Sequence, residues 1–224
     1  MRLLFSDVLV TDENHENHAK HVNIAVIGNT VEYVGEARPE GEFDRVISGN
    51  YLVMPGFYNA HCHSAMTLFR GLGGDLPLKR WLDEAILPAE DRLTPELVRL
   101  FSTEAIAEMI ACGTVAFSDM YFSCADTARA ALDSGIKLNI ARSVGSFDEN
   151  ADPASDSRVA EALELYREWN GEGDGRIKVD FSLHAEYTNT PRMCEYLADL
   201  AHKYDAGMQI HLSETEGEHL RCIE

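Results

Sequence analysis

The sequence predicts an α/β fold, a parallel sheet built from strand–helix units in residues 51–224, preceded by a small β module in residues 1–50. Two observations carry this. Short strand-like runs crowd the first fifty residues without a helical pattern between them. After Tyr51, β-branched runs alternate regularly with amphipathic segments of helical spacing, which is the signature of βα units around a parallel sheet.

Within residues 1–50, the runs 22–27 and 30–34 flank Gly28-Asn29, a good two-residue hairpin turn, and 45–47 forms a third strand candidate. Residues 51–54 lead through Pro55-Gly56 into the strand candidate 57–63. Thr94-Pro95 starts a helix, with threonine as cap and proline at the first helical position, and Gly113 ends it. Residues 114–117 read as a buried strand. A helix over about 127–134 stops at Gly135, and 136–140 is the next strand. A polar loop over 148–157 precedes a helix to about Trp169, whose acidic residues from Glu161 to Glu172 read as one solvated face. The strictly alternating run 177–183 follows, then a second Thr-Pro helix start at Thr190-Pro191, and finally the strand candidate 208–212.

Composition narrows the chemistry. Nineteen Lys and Arg stand against 38 Asp and Glu, a formal charge of −19, which argues against a nucleic-acid backbone or an anionic membrane as partner. No apolar run approaches the roughly 18 residues of a membrane span. Asp7 cuts short any apolar signal-peptide core. The five cysteines are odd in number and contain no Cys-x-x-Cys, so neither a disulfide framework nor a cysteine zinc site is indicated. A cytoplasmic enzyme or binding domain is expected. Residues 51–224 hold five strand candidates, whereas a closed eight-stranded βα barrel takes about 250 residues. The chain also stops inside a helical pattern, and reads as the front part of a longer protein.

Two histidine patterns can carry chemistry. His61 and His63, two apart on a strand, share one face while Cys62 takes the other, so both imidazoles can chelate a divalent metal at a strand's carboxyl end. His211 ends the fifth strand candidate and Glu214 follows three residues later; a metal-bound imidazole beside a free carboxylate suits metal-assisted hydrolysis. His184 ends the fourth strand candidate on the same rim, where a lone histidine is commonly structural. Other patterns fail. His184-Ala185-Glu186 lacks the Pro-Cys-x-x-Cys half of the cytidine-deaminase signature. His15-Glu16-Asn17-His18 is one residue too short for the metalloprotease motif, and Gly71-Leu72-Gly73-Gly74 fits no phosphate-binding loop.

Pro55-Gly56-Phe57-Tyr58-Asn59-Ala60-His61-Cys62-His63 resembles the opening of the amidohydrolase superfamily. Met66-Thr67-Leu68-Phe69-Arg70-Gly71, Trp81-Leu82, the run from Leu87 to Thr94, Asp119-Met120-Tyr121-Phe122 and His211-Leu212-Ser213-Glu214-Thr215 are together similar to its 5-methylthioadenosine/S-adenosylhomocysteine deaminases. The resemblance implies a metal-dependent (β/α)8 TIM-type barrel, here truncated to about five βα units, with an N-terminal β-sandwich-like module. It implies one divalent metal, usually zinc, on His61, His63 and His211. It makes Glu214 the acid that protonates a purine ring nitrogen while activated water attacks the amino-bearing carbon. Glu90 is then the residue for the ribose hydroxyls, His184 a purine contact, and Arg142 and Arg158 the arginines for the amino-acid tail. Small purine nucleosides and further copies of the chain are the implied partners. A sixth-strand histidine and an eighth-strand aspartate are expected beyond Glu224. The rival readings are an aminohydrolase or chlorohydrolase of another ring, guanine or triazine type, and a catalytically dead half-barrel that serves as a binding subunit.

Overall fold

The structure, a computed structural model, describes residues 1–11 and 19–223; His15-Glu16-Asn17-His18 lies outside them. The chain divides into two compact units, Met1–Gly56 and Phe57–Glu224.

In the first unit, β1 (Arg2–Val10), β2 (Lys20–Ile27), β3 (Thr30–Gly35), β4 (Arg45–Ser48) and β5 (Leu52–Val53) form one sheet in the order β3-β2-β1-β4, with β5 also on β1. The described residues thus make a single layer where a sandwich-like module is expected. The β2–β3 hairpin turns at Gly28, whose φ of 60° needs no Cβ, with Ile27 opposite Thr30. Central strand β1 escapes sequence reading because Ser6-Asp7 interrupts its apolar pattern. Asp7 sits at φ 55° in a bulge that shifts register between Phe5 and Val8. Asn23 braces the bulge, its Oδ1 accepting from the Asp7 N–H at 3.3 Å. The bulge also divides one edge of β1: Leu3–Ser6 pairs with β4, and Leu9–Val10 with β5. Residues 51–54, read as the lead into the main domain, therefore supply a strand to this first sheet instead.

In the second unit, β6 (Phe57–Cys62), β7 (Thr114–Tyr121), β8 (Lys137–Arg142), β9 (Ile177–Ala185) and β10 (Met208–His211) form an all-parallel sheet in the order β10-β9-β8-β7-β6. Helices Pro95–Ala111, Cys124–Ser134, Ser157–Trp169 and Pro191–Tyr204 connect the strands. Their starts follow the capping rules: the hydroxyls of Thr94 and Thr190 accept from the N–H groups of Leu97 and Met193, each at 3.3 Å. Short helical segments at Ser64–Phe69 and from Leu78 to Glu90 fill the long β6-to-helix connection.

Strand alternation sorts the two faces. Leu138 and Ile140 on β8, with Ile177, Val179, Phe181 and Leu183 on β9, turn toward the helices and form the core with Ile106, Val159, Met193 and Leu197. Phe181 is fully buried, and truncating it to alanine would cost about 3–5 kcal/mol. The opposite face of β9 carries Asp180, Ser182 and His184, and Asn139 reaches Asp180 across it at 2.6 Å. This polar face leads along the strands to their carboxyl ends. Among the described residues, no helix is long and apolar enough to cross a membrane.

Candidate metal centre

Parallel strands place their carboxyl ends on one rim, and three histidines meet there. His61 lies near the end of β6, His63 follows it immediately, and His211 closes β10. Their ligand-capable atoms all lie within 4.8 Å of one another. The Nε2 of His211 is 3.2 Å from that of His63 and 3.2 Å from that of His61. The ring planes of His61 and His63 stand at 86°, so the nitrogens converge while the rings do not stack.

The backs of two rings decide what the fronts can do. His63 Nδ1 bonds the carbonyl of Met120 on β7, and His211 Nδ1 bonds the carbonyl of His184 at 2.8 Å. A carbonyl only accepts, so each Nδ1 carries the proton and each Nε2 presents a lone pair. Two lone pairs facing each other at 3.2 Å repel unless a cation lies between them. Burial first, then the neighbouring imidazoles, push the His63 pKa down to about 4 against the helping Met120 carbonyl. Burial and His211 also lower that of His61. A proton is therefore a poor bridge at neutral pH. Metal–nitrogen bonds of about 2.0–2.1 Å at tetrahedral angles set nitrogens about 3.3 Å apart, close to the 3.2 Å from His211 to each of the other two. The donor set fits a divalent metal.

Around the triad, His184 is half-buried, with its ring centroid 5.1 Å from that of His211 and its Nδ1 3.2 Å from Thr188 Oγ1. Glu90 is part-buried and accepts from the Tyr121 hydroxyl at 2.7 Å; burial raises its pKa. The Tyr121 ring lies 6.1 Å from that of His63, which brings Glu90 to the same rim. Glu214 is exposed in the loop after β10, near enough to His61 to favour its charged form. Arg142 ends β8 but pairs with Glu161 at 2.6 Å, so that glutamate is engaged rather than simply solvated. Arg158 forks onto Asp156, two residues away, at 2.6 and 3.0 Å. The two arginines thus bond separate carboxylates, while Glu161 also lies near enough to Arg158 to favour its charged form. An open groove of about 430 Å³ lies between the edge strands, lined by Ala60, His61 and residues 208–211.

Residues 52–224 match the sequence model of the amidohydrolase family. The chain belongs to that family. This amidohydrolase is 38% identical, over 100% of its own length and 52% of the relative's, to a 5-methylthioadenosine/S-adenosylhomocysteine deaminase of Caldanaerobacter subterraneus subsp. tengcongensis. It is 39% identical to a 5′-deoxyadenosine deaminase of Methanobrevibacter smithii, over 89% of this chain and 44% of that one. Among solved structures it superposes on a zinc-bound adenosine deaminase of Xanthomonas campestris with a TM-score of 0.86 and 29% identity, covering 99% of this chain and 51% of that one. The chain spans about half the length of the curated relatives it matches. Its five parallel strands correspond to a half-barrel of the amidohydrolase fold.

Sequence reasoning on this amidohydrolase missed the residues that hold the histidines. Met120 acts through its carbonyl, which no side-chain pattern reports. Asp119, fully buried in β7, accepts from the Ser64 N–H at 3.2 Å and from the Ser64 hydroxyl. Burial pushes its pKa up to about 6 against those hydrogen bonds. An acid within a strand run that also holds Val115, Ala116, Phe117 and Met120 is the signal that could have found it.

Proposed function

We propose that this chain supplies the metal-binding histidines of a hydrolytic deaminase of adenosine derivatives, with zinc as the cation and 5-methylthioadenosine and S-adenosylhomocysteine as substrates. The observation that carries the reading is the pair of inward lone pairs on His63 and His211 beside His61, fixed by carbonyls behind them. The names of the relatives, two of them deaminases of adenosine-type nucleosides at 38–39% identity, support the reaction class.

Bound at the triad, a divalent metal supplies Lewis acidity and a water acidic enough to attack at neutral pH. The remaining roles fall to side chains. Glu214, exposed and beside His61, delivers a proton to the ring nitrogen next to the attacked carbon and later assists departure of ammonia. Tyr121 occupies one oxygen of Glu90, leaving the other to accept from a ribose hydroxyl. His184, packed edge-on to His211, lies against the purine. Arg142 and Arg158 receive the carboxylate of the homocysteine tail, which has to displace Glu161 or Asp156 to do so. A cytoplasmic homo-oligomer is part of the same proposal.

The test is ammonia release by the intact protein from adenosine, 5-methylthioadenosine, S-adenosylhomocysteine and guanine, before and after chelation. Release from the adenosine derivatives that is lost on chelation and restored by zinc is expected. Release from guanine alone would favour the other-ring reading, and no release from any substrate would favour a binding scaffold.

A further inference from the structure

Asp119 stands out among the buried polar groups. Its carboxylate accepts from the N–H and the hydroxyl of Ser64. Behind Ser64, the Ser102 hydroxyl lies 2.9 Å from the Ser64 hydroxyl and 3.2 Å from that of Thr127. The Ser64 hydroxyl thus lies within donating reach of both the carboxylate and the Ser102 hydroxyl, which links on to Thr127. All four side chains belong to residues at most 3% exposed. Among the described residues no Lys, Arg or His side chain pairs with the carboxylate. Burying an anion without a counter-charge disfavours the fold, and a helix-capping acceptor for Ser64 needs no charge at all. The arrangement makes sense when a cation is near.

The cation reading supplies one. Ser64 directly follows His63, and the His63 side chain makes no cap to the helical segment Ser64–Phe69. Asp119 takes that orphan N–H instead, while the next residue on β7, Met120, holds the His63 ring through its carbonyl. Two consecutive residues of β7 therefore fix one imidazole, the first at its backbone and the second at its Nδ1.

We propose that Asp119 is a positioning residue for the metal centre: its carboxylate, held by the N–H and hydroxyl of Ser64, locks the backbone beside His63 and supplies the buried negative charge that balances the bound cation. The inference rests on the metal reading under Proposed function. The test is zinc titration and thermal unfolding of the intact protein at pH 7, for wild type, Asp119→Asn and Ser102→Ala. Asp119→Asn keeps the shape and one acceptor but removes the charge. Its zinc affinity is expected to fall about 10- to 100-fold, the range for residues that orient metal ligands. Its metal-free midpoint stays level or rises, and its zinc-loaded midpoint drops below wild type. Unchanged zinc affinity, or an equal fall in both midpoints as for a simple strut, overturns the proposal. If Asp119→Asn does not fold, Ser102→Ala decides, since it keeps the carboxylate and removes the other partner of the Ser64 hydroxyl; weaker zinc binding supports the proposal and unchanged binding overturns it. A wild type that binds no zinc overturns the metal reading and this inference together, whereas zinc-binding wild type with an unaffected variant sinks this inference alone.

Discussion

Asp119 should make the metal-free protein respond to pH in a way that a single substitution reveals. Its pKa rises from an ordinary 3.8 to about 6 in the fold, so the native state holds the proton more tightly than the unfolded chain. The stability this contributes is complete below about pH 3.8 and is lost as the pH rises through 6, a loss of about 3 kcal/mol. His63 works in the opposite sense. Its pKa falls from 6.5 to about 4, so stability is lost as the pH drops through that window, again by about 3 kcal/mol. In wild type the two nearly cancel between pH 4 and 6.5. Asp119→Asn removes one side of the balance. Relative to wild type, the metal-free variant should gain about 2 to 2.5 kcal/mol on going from pH 4 to pH 7. Urea unfolding followed by circular dichroism at several pH values reads this directly. A difference between the two proteins that does not change with pH would show that burial does not raise the Asp119 pKa as described above.

Other substitutions test the remaining roles. Replacing both His61 and His63 by alanine should reduce zinc from about one per protomer to near none by elemental analysis; unchanged zinc would remove both from the site. Glu214→Gln keeps size and reach but loses the transferable proton, so kcat should fall about 100- to 10,000-fold with zinc content intact. Near-normal turnover would leave Glu214 an ordinary loop residue. Arg142→Met should raise KM for S-adenosylhomocysteine while sparing 5-methylthioadenosine, which has no carboxylate; equal losses on both would mean that the Arg142–Glu161 pair serves the fold.

Much of this is legible in the sequence. The Thr-Pro helix starts, the Gly113 and Gly135 stops and the strict alternation of residues 177–183 are local signals, and they mark helices and strands where the structure has them. His61 and His63 share a face by the period of a strand alone, and His211 declares itself by closing one. Local signals fail where long-range contacts decide. Strand β1 survives the Ser6-Asp7 interruption because Asn23, from the next strand, satisfies the bulge. Residues 52–53 turn to the first sheet because β1 offers a free edge beyond its bulge. Strand β7 runs on to Tyr121 because Ser64 and its neighbours solvate Asp119 from another part of the chain. The tautomers of His63 and His211 depend on backbone carbonyls of Met120 and His184, and no sequence pattern encodes a carbonyl's position. Likewise, Arg142 and Arg158 carry their charge in the sequence, but only the fold shows Glu161 and Asp156 already on them.

The central claim is that His61, His63 and His211 together hold the metal on which the reaction depends. X-ray absorption at the zinc edge of the intact, zinc-loaded protein tests it most directly. The account predicts imidazole scattering from nitrogen ligands at about 2.0–2.1 Å, with fewer imidazoles in His211→Ala. A zinc shell without imidazoles, or one unchanged in His211→Ala, would contradict it.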